Sequence, residues 1–397
     1  MSAPPLTRGL LGTGEPGLTG HLTAHGPLPA VADLAAAAGD HTGRGGAGFP
    51  TARKLRAVTD AARATGRAAV VVGNGGEGEP AAAKDAVLLA RSPHLVLDGL
   101  HLAGRAVGAD TLVLAAAHAA LPGLDRALAE RGDRARVRLV GLPDRFLAGE
   151  ESALVSVVDG GPPLPRTKVP PVRERGVGGR PTLVLNVETL ARLALLARGD
   201  DAGGHTLVTR HTAGPHGRVT DVAEVPVGSR LADVLPLAGA RAVLVGGYHG
   251  SWLPTPVAAD LSLDRDSLAC AGASLGAGVL AALPADRCGL RETASVVAHL
   301  AAQSAGQCGP CLNGLPRIAA ALELLARPAP APHGLLDDVH RWSGLVVGRG
   351  ACSHPDGSVR FVASALRVFA PELAAHAAGR CSATTAAPFL PVPGGAR

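Results

Sequence analysis

Ala69-Val70-Val71-Val72-Gly73, running directly into Asn74-Gly75-Gly76-Glu77-Gly78-Glu79-Pro80, is the stretch that decides the fold. A short apolar, β-branched run bounded by glycine predicts a buried strand. Helical patterns flank it, and the strand signal returns at Thr111 to Ala115 and at Arg136 to Val140, with a helix over Leu124 to Arg131 between them. That alternation predicts an α/β fold on a parallel, Rossmann-like sheet. The polar segment after the strand then falls at the carboxyl end of the sheet, where such proteins bind ligands.

Upstream lies Gly43-Arg44-Gly45-Gly46-Ala47-Gly48-Phe49-Pro50-Thr51-Ala52-Arg53-Lys54-Leu55. Gly43, Gly45 and Gly48 satisfy G-x-G-x-x-G, but the preceding Val31 to Gly39 is Ala-rich and helix-like, so the usual strand context is missing. The physics of the loop remains: glycine allows positive φ and close backbone approach, and a helix starting near Pro50 or Thr51 offers free N–H groups to an anion. Lys54 would sit one turn into that helix, beside a phosphate. Lysine is scarce here, three residues against 35 Arg, and so is asparagine, with Asn74, Asn186 and Asn313. All six fall inside motif-like segments. After the first strand, Glu77 and Glu79 can accept hydrogen bonds from ribose hydroxyls or from flavin and nicotinamide amides; a solvated acidic loop is the alternative.

At 397 residues the chain has room for two or three domains. With two Trp, one Tyr and five Phe, the core must be built from Ala, Val and Leu, and there is little to stack on single-stranded nucleic acid. The net charge of +5 comes from Arg interspersed with Asp and Glu, leaving no basic stripe for a duplex backbone. No nucleic-acid partner is expected. Apolar runs such as Leu112 to Ala117 fall far short of the ~20 residues of a membrane helix, and no secretory signal is visible, so a cytoplasmic protein without membrane insertion is expected. Cysteines in that setting serve more often as ligands or free thiols than as disulfides.

Residues 204–270 switch to short β-rich pieces, His205 to Arg210, Arg218 to Val225 and Arg241 to Val245, with a short helix at Ser229 to Leu237; this suits a small β-grasp domain. Helical spacing then recurs over Arg291 to Ala302, Cys311 to Ala326, Leu335 to Leu345 and Ser358 to His376, which predicts a four-helix domain within 280–378. Residues 1–34 and 379–397 read as tails or loose coverings, leaving 35–203 for the first domain.

Three further segments carry candidates. Phe146-Leu147-Ala148-Gly149-Glu150-Glu151-Ser152-Ala153-Leu154 opens a helix on paired carboxylates, which could serve only the helix dipole. Asn186, in Leu185-Asn186-Val187-Glu188-Thr189-Leu190, could cap a helix. Cys308-Gly309-Pro310-Cys311, with Cys352 far downstream, offers three thiols. They could hold an iron–sulfur cluster, zinc together with His354, or nothing. Cys270, Cys288 and Cys381 have no motif around them and read as buried or free thiols.

Taken in order, these segments resemble the NADH-binding flavoprotein subunit of respiratory complex I, the F subunit in bacteria, and the related diaphorase subunits of NAD-linked hydrogenases and formate dehydrogenases. The likeness rests on Gly-Arg-Gly-Gly-Ala-Gly-Phe-Pro-Thr, Gly-Glu-Gly-Glu-Pro with Lys84-Asp85, Ala-Gly-Glu-Glu-Ser-Ala-Leu, Pro165-Arg-Thr-Lys-Val-Pro-Pro171 and Asn-Val-Glu-Thr-Leu, and runs from about residue 35 to 376. It implies a Rossmann-like FMN and NADH domain over 35–203, a soluble-ligand-binding β-grasp domain, and a helical domain with a 4Fe-4S type cluster. The activity implied is transfer of a hydride from NADH to FMN and of single electrons to an iron–sulfur acceptor. Gly43, Gly45, Gly46, Lys54, Asn74, Asn186 and Thr189 would hold FMN. Glu79, Gly149, Glu150 and Glu151 would face flavin and nicotinamide, and Cys308, Cys311 and Cys352 would bind the cluster. A ferredoxin or iron–sulfur subunit is the implied partner, and peripheral attachment to a membrane complex is compatible with this.

The chain departs from the family pattern at four places. Gly76 stands for an Asp, Phe146 for a Tyr and Leu185 for an Asn; if each was a cofactor hydrogen bond worth ~0.5 to 1.5 kcal/mol, their combined loss would weaken FMN affinity by roughly one to three orders of magnitude. Ala305 replaces the first cysteine of Ser-Cys-Gly-x-Cys-x-Pro-Cys, leaving the ligand set incomplete. A degenerate, non-catalytic homologue that binds a nucleotide or partner is therefore the alternative reading.

Overall fold

The computed structural model describes residues 9–12, 16–46, 48–200 and 204–393. The chain divides into two compact units: one runs up to Gly78 and resumes from Ala83 to Leu207, and the other combines Glu79–Ala82 with the chain from Val208 onward.

The first unit contains α1 (Leu18–His25), α2 (Leu34–Ala38), α3 (Thr51–Thr65), β1 (Ala69–Gly75), α4 (Lys84–Arg91), α5 (Pro93–Val107), β2 (Ala109–Ala117), α6 (Leu121–Arg131), β3 (Val137–Leu142), α7 (Glu151–Val158), β4 (Thr182–Asn186) and α8 (Val187–Leu196). Its four strands are parallel in the order β3-β2-β1-β4. The order runs outward from β1 through β2 to β3, then returns to the other side of β1 for β4. The β1/β4 boundary is thus the topological switch point, whose carboxyl-end crevice is the usual ligand position in this architecture. Both faces are covered, as parallel strands require. Val70, Val72, Val113, Ala115 and Val184 pack with Leu154, Val155 and Val158 of α7. On the opposite face α5 and α8 lie close enough that a Cβ on Gly99 would come 1.9 Å from the Leu190 carbonyl oxygen.

The amino-terminal segment expected to be a loose tail is packed where it is described. Leu10 is buried, and His21 of α1 sets Nε2 2.9 Å from the buried Asp98 carboxylate, which also receives Arg131 at 2.7 Å and Arg198. Burial alone would raise Asp98, but His21 and the guanidinium groups hold it well below the usual carboxylate range.

The second unit contains β5 (His205–Gly214, whose first residues belong to the first unit), β6 (Gly217–Pro226), α9 (Leu231–Val234), β7 (Ala240–Val245), β8 (Ser251–Pro254), α10 (Thr255–Asp260), α11 (Arg265–Cys270) and β9 (Val279–Pro284). Helices α12 (Gly289–Ala302), α13 (Leu315–Leu325), α14 (Leu335–Val346), α15 (His354–Val368) and α16 (Ala370–Ala377) complete it. Its five-stranded mixed sheet has the order β6-β5-β9-β7-β8. The central strand β9 pairs parallel with β5 and antiparallel with β7, so the sheet continues beyond residue 270, where the sequence reading ended it. Trp252 of β8 meets Phe361 of α15 and Phe369, at ring-centroid distances of 6.0 and 5.3 Å, which fixes sheet to helices.

The helical block also differs from expectation. The helix expected over 358–376 is two helices broken at Phe369, because Pro371 lacks the N–H that would continue the ladder and instead occupies the first turn of α16. Five helices result in place of four. The carboxy-terminal segment is a strap, with Phe389 and Leu390 buried and their N–H groups donating to Glu292 at 2.7 and 2.9 Å. No helix among the described residues is long and apolar enough to cross a membrane.

Candidate functional site

Asn74 ends β1 and Asn186 ends β4, and the two are register partners across the switch point. Asn74 donates through Nδ2 to the Gly149 carbonyl at 2.9 Å and accepts from Gly76 N–H at 3.1 Å. Asn186 caps α8, its Oδ1 accepting from Glu188 N–H at 2.9 Å, while Nδ2 donates to Asp85 at 2.6 Å. The capping role and the site position therefore coincide in one side chain.

The glycine loop lies over the same edge. It is closed at its base by a bridge between Thr42 and Pro50 and by Gly43 N–H donating to Phe49 O at 2.9 Å. Gly46 has φ 95°, a value that a side chain disfavours. Arg44 N–H donates to Thr189 Oγ1 at 2.9 Å, and a Cβ on Gly45 would lie 3.5 Å from Asn186 Cβ. Helix α3 begins at Thr51 with no side-chain cap on its first N–H groups. Lys54, in its first turn, pairs with Glu151 at 2.6 Å. Glu150 caps α7, accepting from Ser152 and Ala153 N–H at 2.9 and 3.0 Å, and Lys168 approaches its other oxygen at 3.4 Å. Gly43, Gly45, Gly46, Lys54, Asn74, Gly149, Glu150, Glu151, Asn186 and Thr189 are thus gathered at one edge of one sheet.

Two expected participants are placed otherwise. Both oxygens of Glu77 accept N–H bonds opening α4, from Asp85 at 2.9 Å and Ala86 at 3.0 Å, so the carboxylate expected to receive a cofactor is occupied as a helix cap. Burial, and then the Asp85 charge, push Glu77 up to about 7. Glu79 belongs to the second unit, where it accepts from Tyr248 N–H at 2.9 Å.

A charged cluster that the sequence reading did not single out as a site lies beneath the loop. Lys84 is buried between Asp85 at 2.6 Å and Glu188 at 3.1 Å, and Glu188 also meets Arg192. Burial disfavours the Lys84 charge, yet the two carboxylates raise its pKa above the ordinary value. Arg44 extends the cluster: burial, and then Arg192, lower its pKa while Glu188 opposes them. Arg44 Nε is buried with no hydrogen-bond partner among the described residues. Lys84, Arg44 and Arg192 face Asp85, Glu188 and Glu77, and the orphaned guanidinium donor of Arg44 suits an anion such as a flavin phosphate. The scarcity of lysine was the signal available for Lys84; an arginine among 35 gave none for Arg44. One family departure has a local cause: a Cβ on Gly76 would meet Leu142 Cδ1 at 2.5 Å, so Leu142 fills the space an Asp side chain would enter.

In the second unit, Cys311 lies in the π-type turn Pro310–Gly314 ahead of α13, and Cys308 and Cys352 stand beside it. Burial raises the Cys308 thiol, but hydrogen bonds from the Ala351 and Cys311 backbone N–H groups outweigh it and leave Cys308 below its usual range; burial, and then Cys308, push Cys311 up to about 11. Amide donors to sulfur suit cluster thiolates. His354 does not complete a zinc site: its Nδ1 faces His249 Nε2 at 3.0 Å and its Nε2 faces the Leu300 carbonyl at 2.9 Å.

The profile of the Nuo51 FMN-binding domain matches residues 40–195, and that of the NADH-ubiquinone oxidoreductase-F iron–sulfur binding region matches 291–376. The F subunit numbered 2 of the NADH-quinone oxidoreductase of Rhizobium meliloti is 28% identical over 368 residues, covering 84% of this chain and 86% of that protein. The corresponding F subunit of Escherichia coli is 29% identical over 372 residues, covering 84% and 81%. A chain of an NAD+-reducing NiFe hydrogenase, solved in the H2-reduced state, superposes with a TM-score of 0.76 at 27% identity over 87% of this chain. The present chain spans 62% of the length of that hydrogenase chain. With both cofactor regions matched in order, the chain is similar over most of its length to the NADH-binding flavoprotein subunits that include the F subunit of NADH-quinone oxidoreductase.

Proposed function

We propose that the chain oxidises NADH at an FMN held over the β1/β4 switch point and delivers electrons to an iron–sulfur cluster in its helical block. One observation carries the reading: Asn74 and Asn186 stand in register beneath a glycine loop whose Arg44 Nε is buried without a partner. Bound FMN would supply hydride acceptance and one-electron release, which no side chain of the chain can perform.

The residues bind and orient. Gly43, Gly45 and Gly46 admit the phosphate tail to main-chain N–H groups, and Arg44 and Lys54 neutralise it. Asn74, Gly149, Asn186 and Thr189 offer polar groups at the strand ends. Glu150 and Glu151, fixed by α7 and Lys54, orient the nicotinamide and set the local charge. Glu79 keeps the nicotinamide role that the resemblance gives it. Cys308, Cys311 and Cys352 hold the cluster, whose remaining iron takes a non-cysteine ligand or is absent. Electrons leave to a ferredoxin or an iron–sulfur subunit, and attachment to a membrane complex would be peripheral.

Anaerobic purification tests the reading. Flavin and iron–sulfur absorbance together with NADH-dependent dye reduction are expected, and Lys54→Ala and Glu79→Gln should each slow that reduction strongly. A colourless, inert protein would reject the redox assignment in favour of a binding module, and unchanged rates in either variant would reject that residue's role.

A further inference from the structure

Cys288, Glu372, His376 and Cys381 bring four ligand atoms within 4.8 Å of one another, the one such group of three or more metal-ligating side chains among the described residues. Each arrives by a definite local device. Cys288 caps α12, its Sγ 3.4 Å from Arg291 N–H. Glu372 and His376 are four residues apart on α16 and so share a face. Gly379, at φ 72°, ends that helix, and Arg380 N–H returns to Ala375 O at 2.9 Å, turning Cys381 back toward the same face. The first three residues are buried at 3%, 6% and 1% exposure.

The surrounding contacts orient these groups as a ligand shell requires. His376 Nδ1 faces the Leu325 carbonyl at 3.1 Å, which makes Nδ1 the protonated nitrogen and leaves the Nε2 lone pair toward Cys288 Sγ, 3.6 Å away. Glu372 accepts from Gly289 N–H at 3.1 Å and from Arg241 at 3.0 Å, with Ser382 Oγ at 3.2 Å. Two thiolates and a carboxylate around a divalent cation leave one negative charge, which Arg241 offsets. Two sulfurs, an imidazole and a carboxylate in a closed set of four match zinc in softness and in the tetrahedral arrangement of structural sites.

We propose that Cys288, Glu372, His376 and Cys381 form a structural zinc site, separate from the iron–sulfur cysteines, that staples the carboxy-terminal strap and α16 to the start of α12. The site lies within the second unit and does not depend on the flavin reading.

Zinc and iron counted separately on the full-length protein, purified anaerobically without added metal, test this. About one zinc per chain is expected. Cys381→Ser, in the half-exposed strap, and His376→Gln should each lower zinc at least about ten-fold while iron and flavin contents persist. Cys308→Ser should lower iron and leave zinc in place. Absence of zinc from the anaerobic protein, zinc loss that follows Cys308 rather than Cys381, or a Cys288–Cys381 disulfide in non-reducing peptide maps would each overturn the site. If a variant fails to fold, addition of a zinc chelator to the wild-type chain decides: a fall in Tm with iron retained supports the site, and an unchanged Tm with zinc removed refutes it.

Discussion

Replacing Asn186 with Ala probes the fold and the site together. The substitution removes the cap on α8, where Oδ1 accepts from Glu188 N–H at 2.9 Å, at a cost of about 0.5–2 kcal/mol. It also removes the 2.6 Å donor to Asp85, whose carboxylate is 4% exposed and keeps Lys84 as its other partner. Loss of a hydrogen bond to a buried charged group costs about 1.5–3 kcal/mol. The third contact, to Asn74 O at 3.4 Å, is long and adds little. A loss of about 2–5 kcal/mol is therefore expected, read as a lower denaturant midpoint at unchanged m. FMN affinity should fall in parallel. Asn186→Asp sharpens the test, since it keeps a capping oxygen but sets a carboxylate against Asp85. Burial already raises Asp85, with Lys84 opposing it, and a second carboxylate raises the folded-state pKa of the pair further. A raised folded pKa means that stability is fully present below the unfolded value of ~4 and is lost as pH rises through the folded value. Asn186→Asp should accordingly be less stable than Asn186→Ala at neutral pH and recover on acidification. A loss below about 0.5 kcal/mol for the Ala variant, within the range of ordinary surface changes, or a native-like Asp variant at neutral pH, would refute the account of this edge.

Ala305→Cys restores the family's missing thiol next to Gly306, whose backbone already bonds to Cys311; iron per chain should rise toward about four and the cluster should resist air longer, checked by iron analysis and EPR. Asp98→Asn leaves Arg131 and Arg198 without their buried counter-charge and should cost about 3–5 kcal/mol at neutral pH. Because the folded pKa of Asp98 is depressed, its contribution is present above the unfolded value of ~4 and is lost as pH falls through the folded one, so the gap between wild type and variant should narrow on acidification; a constant gap in unfolding curves would contradict this. Gly99→Ala forces a Cβ to within 1.9 Å of Leu190 O and must push α8 from α5. A loss of about 1–3 kcal/mol or more and weaker FMN binding are expected, measured by thermal unfolding and flavin fluorescence.

The parallel sheet was legible because its central strand β1 is a short aliphatic run buried on both faces, as Val70 to Val72 are, and such a run has few other solutions. Asn74 and Asn186 were legible through scarcity. What sequence could not show is how a polar side chain divides between architecture and chemistry. Glu77 looks like a ligand carboxylate until α4 is seen to start at Lys84 with the Asp85 and Ala86 N–H groups aimed back at it. Ser358 to His376 keeps one helical period across a break that Pro371 alone announces. The carboxy-terminal segment lacks periodicity because it is held through backbone groups, as Phe389 and Leu390 are on Glu292, and such contacts leave no pattern in side-chain type. Cys288 and Cys381 escaped notice because folding alone makes them neighbours.

The departures at the two cofactor positions act in a consistent direction on electron flow. A cluster held by Cys308, Cys311 and Cys352 with a neutral fourth ligand carries one negative charge fewer than its four-thiolate counterpart. Reduction adds negative charge, so the smaller initial charge raises the potential, and the amide bonds from Gly306 and Ala351 to sulfur raise it further. Leu142 meanwhile occupies the space beside Gly76 that an Asp carboxylate would enter, which leaves the proposed flavin site without that negative charge. Fewer anions near an electron-accepting group favour its reduced form, by the same Coulomb argument at both positions. On the proposed site assignments, both changes favour electrons entering from NADH over electrons returning to NAD+.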